Sequence, residues 1–551
     1  MTRSLMGVTV AAAVLLAACT SDAESPAGSS AGSSPPSGCD PQLDAALDAW
    51  AEAGFSGAVS ITAAGEPVCE AGYGSADRAA GRPNTAATVF AIGSVTKAFT
   101  AAAVLDLADD GRLTLDDRVG DHLPELRGPA ADATLRQLLV HTSGLNGSPG
   151  ADHQPLSRDD ALAAIAAMRP AFPPGTDYLY TNAGYTLLAL VVEEVTGSYR
   201  EHAATRILRG LPSAGFWDGS PAARGDRAVG YLDDGSTGAA GDFAGPHWAL
   251  DGNGALAMTM PDLAAWTWSL FTGGVVSAEA ARTIATPQVD LGDGASETPG
   301  WVAHDASAFG VPFLASAGGG GDVGHEAMVV WIPNGERVLA VASNGPEVTA
   351  EELVEAIGPA LAAGEPVPAP DVPGGAVDPG VAAAIVGDYR LDTGGAFLVS
   401  DDDGLRIAAR GADAVRALFP PADPDAVREH ERAVEALLAG RTEAGREELA
   451  ALSDDFGPVG GFEPAGTVLA DGELRTYVTL DTGGAPLLAW YALNDDGGVE
   501  GVEVGADPPS VSLAPDGRGF RPSDPAGAGP DITMTFGDDT VTVGDVTARR
   551  G

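Results

Sequence analysis

Lysine is almost missing from this chain: Lys97 is the only one, and every other of its 30 basic residues is arginine. Positive charge is scarce altogether, with 30 Lys and Arg against 77 Asp and Glu and a formal net charge of −47. That balance excludes nucleic-acid binding, which needs a basic surface. The acids are spread along the chain, which fits solubility or salt tolerance better than a specific cationic partner. Cysteine is rare too, at three residues. Beyond Cys19 only Cys39 and Cys69 remain. Two thiols cannot make a zinc site alone, and in an oxidising compartment such a pair reads as a disulfide. After the N-terminus no apolar run is long enough to span a bilayer. Lys97 is followed by Ala98 rather than Ser or Thr, which excludes a Walker-type phosphate loop. No Gly-x-Ser-x-Gly elbow stands between a strand and a helix, so an α/β-hydrolase triad has no support. No cofactor, metal or protein partner is expected.

What is present centres on the lone lysine. It lies in Gly93-Ser94-Val95-Thr96-Lys97-Ala98. Arginine supplies charge but cannot release its proton in a protein, whereas a lysine amine can once burial or nearby charge lowers its pKa. Residues at i and i+3 share a helix face, so Ser94 and Lys97 come within mutual reach if the segment is helical. The apolar, alanine-rich Phe99–Leu107 that follows predicts a buried helix. Gly93 lets the chain turn onto it, placing Ser94 at the positive end of the helix dipole. Ser-x-x-Lys is the pattern of an activated serine nucleophile.

The N-terminus reads as an export signal. Arg3 precedes an apolar run from Val8 to Ala18 that closes on Leu16-Ala17-Ala18-Cys19, too short to span a bilayer. Small residues before a cysteine resemble a bacterial lipoprotein cleavage site. By that resemblance residues 1–18 are a signal peptide and Cys19 is lipidated, anchoring the protein to the outer face of the cell membrane. Residues 19–38, rich in Ser, Gly, Pro and Ala, form a flexible tether. Residues 39–364 mix helix and strand. Strands are expected at 57–62, 328–332 and 338–342, and helices at 183–195 and 262–271. Strands at both ends with helices between predict an α+β fold, one antiparallel sheet closed by the ends of this part and flanked by an all-helical lobe. Residues 365–379 alternate proline with small residues and read as a stiff linker. Residues 380–551 are β-rich, with a helical insertion at about 412–460, and fit a barrel-like accessory domain.

Four segments carry a family resemblance. Phe90-Ala91-Ile92-Gly93-Ser94-Val95-Thr96-Lys97, Leu138-Leu139-Val140-His141-Thr142-Ser143-Gly144-Leu145, Tyr180-Thr181-Asn182 and Asn253-Gly254-Ala255-Leu256 occur in this order. Together they resemble the serine hydrolases that include class C β-lactamases, D-alanyl-D-alanine carboxypeptidases and related esterases. The resemblance implies an acyl-enzyme at Ser94, with Lys97 as base or proton relay. It implies that Tyr180 exchanges protons with the nucleophile, leaving group or water, provided Lys97 lowers its pKa. It also implies that Asn182 bonds Lys97 and the substrate amide. His141, in a Ser-Gly turn, reads as a structural histidine.

The third family motif departs from the pattern. Where the family carries Lys or His, then a variable residue, then Gly, this chain has Gly318-Gly319-Gly320. By resemblance, Gly320 and Gly321 border the oxyanion site, where the Ser94 and Gly321 N–H groups would donate. Recognition of a substrate carboxylate is put in doubt, which weakens a β-lactamase reading and leaves room for an esterase or amidase. The expected function is a secreted, lipid-anchored serine hydrolase acting on an ester, amide or β-lactam carbonyl of a small-molecule or peptide substrate. The alternative is a catalytically inactive penicillin-binding-like fold serving as a cell-wall binding or sensor module, or a function residing in a lipid- or glycan-binding barrel.

Overall fold

The computed structural model describes residues 38–551 apart from 233–234, 241–244, 321–322, 371–376, 378, 402–404, 457, 471–472, 484–485, 495–496, 517–518, 523–531 and 538. The expected signal peptide, tether and lipidated Cys19 therefore lie outside the described residues, as does Gly321. Cys39 and Cys69 are joined in a disulfide.

An eight-stranded antiparallel sheet organises the first part of the chain. Its order is Glu66–Tyr73, Gly57–Ala63, Arg337–Ser343, His325–Ile332, Phe313–Gly320, Trp301–His304, Ala295–Thr298 and Val289–Gly292. The early strand Gly57–Ala63 pairs with the late strand Arg337–Ser343, Gly57 opposite Ser343. The two ends of this part thus close one sheet, as expected. Strands 289–304, which carry no strong alternation, extend it toward the site.

Both faces are covered, because successive side chains point to opposite sides. Val330, Ile332, Leu339 and Val341 pack with Leu47, Trp50, Leu353 and Ile357 of the helices Pro41–Glu52 and Ala350–Ala363. Val329, Trp331, Ala340 and Ala342 face the larger core of the helical lobe. Thr349 caps the helix Ala350–Ala363 in a reciprocal pair with Glu352, and Gly364 in a left-handed conformation ends it.

Two helices run through the lobe. Thr96–Asp109 follows a 3-10 turn at Gly93–Val95, and every residue from Thr96 to Leu107 is buried. Alanines at 98, 101, 102 and 103 let neighbours approach on all sides, and Phe99 stacks on Trp266 at 3.6 Å between ring centroids. The second helix, Asn182–Thr196, is buried from Ala183 to Val192 and ends at Gly197 with φ 92°.

Beyond the proline-rich segment, eight strands from Gly387–Arg390 to Val546–Arg550 form a closed barrel. Tyr389, Phe397, Ile407, Met534, Val541 and Val543 are fully buried and fill its core. The chain leaves the barrel after Arg406–Arg410 and re-enters at Ser510–Asp516. Between lie three helices, Ala412–Leu418, Pro424–Leu438 and Glu443–Phe456, and a four-stranded sheet from Gly461–Ala470 to Val499–Val504. The insertion is thus longer than the 412–460 expected. Strands at 473–481, 487–493 and 499–504 belong to its own sheet, a distinction that alternation alone does not encode.

Candidate active site

Helical spacing brings Ser94 and Lys97 together. The Lys97 Nζ lies 2.9 Å from Ser94 Oγ, 2.8 Å from Asn182 Oδ1 and 3.3 Å from the Asn253 carbonyl oxygen. Lys97 is 3% exposed. Burial is the largest influence on its amine and pushes the pKa down to about 7, opposed by the negative charges of Glu297 and Asp152. A neutral amine has two N–H bonds and one lone pair. A backbone carbonyl can only accept, and Asn182 presents its amide oxygen. Once the amine is deprotonated, these two acceptors can take both N–H bonds and leave the lone pair for the Ser94 hydroxyl. The arrangement is that of a general base holding a nucleophile's proton.

Asn253 is a fixed part of that cradle. Its side-chain amide donates to Thr186 Oγ1 at 3.0 Å and to the Ala249 carbonyl at 2.9 Å, which sets the direction of its own carbonyl. The segment Asn253–Leu256 was legible as a motif, but its contribution is a backbone oxygen.

Tyr180 departs from the expectation. The residue is 46% exposed and its ring centroid lies 4.7 Å from the Lys97 Nζ, while the phenol shares a hydrogen bond with Ser94. Burial of the hydroxyl end pushes its pKa up to about 12; the bond with Ser94 works against this and Glu297 adds to it. An amine that loses its proton as pH rises through about 7 offers no lasting charge to lower the phenol. Tyr180 is therefore a protonated donor in the resting site.

His141 is a positioning residue. It is 1% exposed, adopts φ 56° and accepts a hydrogen bond from the Thr181 N–H through Nδ1 at 3.1 Å. Its ring packs 4.5 Å from that of Tyr180. Burial, then the Lys97 charge, pushes its pKa down to about 3, so it stays neutral.

The glycine triplet has a steric cause. Gly318 sits on the edge of the nucleophile turn, and a Cβ there would lie 2.1 Å from the Ser94 nitrogen and 2.7 Å from the Val95 nitrogen. No real Cβ tolerates such contacts, so a cationic side chain at 318 is excluded by the backbone packing itself. Gly320 ends the strand opposite His325.

Several site residues carried no sequence signal. Glu297 is 5% exposed, accepts from the Tyr178 hydroxyl at 3.0 Å, and is pushed up to about 8 by burial against the lowering influences of Tyr178 and Lys97. His325 is buried beside Phe90 and Trp217 and accepts the Ala91 N–H at 3.0 Å. A cavity of about 130 Å³ opens beside Ser94, lined also by Asn182, Asn253, Asp152, His153 and His247. Behind the two histidines stands Asp218, fully buried, with one oxygen 2.5 Å from His153 Nδ1. Burial pushes His247 down to about 4, with Asp218 opposing. The donor atoms of His153, Asp218 and His247 all lie within 4.8 Å of one another.

The Beta-lactamase family model matches residues 44–363, more than half of the chain. The chain belongs to this family. Among similar proteins, PbpX of Bacillus subtilis (strain 168) is 31% identical over 239 residues, covering 43% of this chain and 60% of PbpX. Esterase EstB of Burkholderia gladioli is 36% identical over 189 residues, 30% of this chain and 48% of EstB. A D-aminopeptidase of Cereibacter sphaeroides is 36% identical over 165 residues, 28% of this chain and 31% of that protein. The matches therefore span between about a third and three fifths of these relatives' lengths. The octameric penicillin-binding protein homologue from Pyrococcus abyssi superposes with a TM-score of 0.53 at 19% identity, over 85% of this chain and 98% of that one. This second likeness concerns the Beta-lactamase-family fold alone.

Proposed function

We propose that this protein is an exported, lipid-anchored serine hydrolase that forms an acyl-enzyme at Ser94 on ester or amide carbonyls. The observation that carries the reading is the buried Lys97 amine held between two acceptors with its Nζ 2.9 Å from Ser94 Oγ. The Ser94 hydroxyl donates its proton to the Lys97 Nζ as the oxygen attacks the carbonyl. The Ser94 N–H, at the start of the helix, donates to the developing oxyanion. Tyr180, protonated and bonded to Ser94, passes its proton to the leaving group, and the Lys97 ammonium returns the proton it took from Ser94 to the Tyr180 phenolate, leaving both groups neutral. Water then attacks the acyl group, Lys97 takes its proton, and that proton returns to Ser94 Oγ as the acid product leaves. Asn182 holds Lys97 and borders the cavity, where it can accept from a substrate amide.

The choice of ester or amide over β-lactam rests on Gly318. A substrate carboxylate needs a cation beside the nucleophile, and the packing of Gly318 on Ser94 leaves no room for one from that strand. The relatives named as an esterase and a D-aminopeptidase accord with this. Export is supported by the apolar run before Cys19 and by the Cys39–Cys69 disulfide.

The test is active-site labelling with a fluorescent fluorophosphonate, beside a panel of p-nitrophenyl esters, D-amino-acid p-nitroanilides and nitrocefin. Labelling and ester or anilide turnover that vanish in Ser94→Ala support the proposal. Labelling that persists in that variant, or fails in the parent chain, leaves the inactive binding-module reading in its place.

A further inference from the structure

We propose that His153, Asp218 and His247 form a zinc site opening into the cleft beside Ser94. The three come from separate parts of the chain. His153 lies on the loop before the helix Arg158–Ala167, Asp218 follows the short strand Gly215–Phe216, and His247 precedes the turn that delivers Asn253. Two imidazoles and a carboxylate make a donor set suited to zinc and neighbouring borderline divalent ions.

The geometry fits with small side-chain adjustments. Tetrahedral zinc with bonds of about 2.0–2.1 Å needs its donors about 3.4 Å apart. All three donor atoms already lie within 4.8 Å of one another. Asp218 is fully buried, His247 is 2% exposed and the His153 side chain 11% exposed. The Arg200 guanidinium behind them makes a bidentate pair with Asp251 and donates to the Asp218 backbone carbonyl at 2.8 Å. Burying a carboxylate here is costly, and a divalent ion shared with two imidazoles offsets that cost.

The direction of the opening gives the site its use. His153 and His247 line the same cavity as Ser94, Asn182 and Asn253, so three protein ligands would leave the fourth position facing substrate. A metal with three protein ligands and one open position is the arrangement of catalytic rather than structural zinc. Such an ion would place positive charge in a cleft whose flanking strand excludes a cationic side chain at Gly318. It would take an anionic or carbonyl oxygen of the substrate. This use rests on the hydrolase reading above; the binding itself does not.

The experiment is a Co2+ titration of the full chain, without an affinity tag and stripped by chelator, followed by displacement with Zn2+. One equivalent of Co2+ should give the visible absorption of a four- or five-coordinate ion, and Zn2+ should abolish it. His153→Ala/His247→Ala should weaken binding at least 100-fold, whereas His430→Ala, at a histidine that contacts Thr476 and Leu493 within the insertion, should not change it. Should the double variant fail to fold, His153→Ala alone, at the cavity wall, decides by the same loss. Ser94→Ala should bind Co2+ as the parent does, and fluorophosphonate labelling of the stripped protein reports separately on Ser94. No visible band, or an unchanged band in the histidine variants, would overturn the site and leave His153 and Asp218 as a hydrogen-bonded pair.

Discussion

Replacing Lys97 with methionine should change stability in a way set by one proton. The buried amine has a pKa of about 7 in the folded protein, against about 10.4 in an unfolded chain. Because the folded value is depressed, the unfolded chain binds one more proton between these two pH values. The Lys97 contribution to stability therefore rises through that window by about 1.4 kcal/mol per pH unit, reaching about 5 kcal/mol in all. Below about pH 7 both states are protonated and the penalty is full and constant; above about pH 10.4 neither is, and it is gone. Lys97→Met lacks the group. Its loss of donors to the Asn253 carbonyl and Asn182 costs about 1–3 kcal/mol each, but that cost does not vary with pH. The difference in unfolding free energy, parent minus variant, should stay flat below pH 7 and climb by several kcal/mol toward pH 10. Urea unfolding followed by intrinsic fluorescence at pH 6, 8 and 10 measures it. With no second lysine in the chain, no other ε-amine contributes. A difference that is flat across the range, or that falls, refutes the assignment of a neutral amine.

Other consequences follow from the same geometry. The rate constant kcat/KM for an ester substrate should rise as pH increases through about 7, as Lys97 loses its proton, and Tyr180→Phe should lower kcat at least tenfold without moving that limb. Gly318→Ala would drive a methyl group into the Ser94 backbone; fluorophosphonate labelling should fall at least 100-fold even where circular dichroism shows a folded chain. Cys39 and Cys69 are 30 residues apart, so by loop-closure entropy reduction should cost about 3–4 kcal/mol, read as a lower urea midpoint.

The sequence and the structure agree most closely where local spacing decides geometry. Ser94 and Lys97 are one helical turn apart, so their meeting needs only a helix, and the alanine-rich stretch after them provides it. The sheet closed by its own ends was also legible, because Gly57–Ala63 and Arg337–Ser343 carry strong strand patterns. What was not legible depends on long-range packing. Glu297 comes from a short strand next to the sheet's edge with no motif, and reaches Lys97's surroundings only through the register of the sheet. His153 and Asp218 are 65 residues apart, joined by loops whose course no periodicity encodes. The insertion's own sheet has the same alternation as the barrel. The condition placed on Tyr180, a pKa lowered by Lys97, is not met, because burial raises the phenol and the neighbouring amine loses its own charge near pH 7. Gly318 read as a lost cation and is in fact a close backbone contact.

The central claim is that a buried amine gives up its proton near neutral pH, and the composition makes it directly measurable. Protein grown with lysine labelled at the ε carbon should show a single resonance, since Lys97 is the only lysine. The account predicts a titration midpoint close to 7 for that resonance in the folded protein. A midpoint at or above 10 would contradict it.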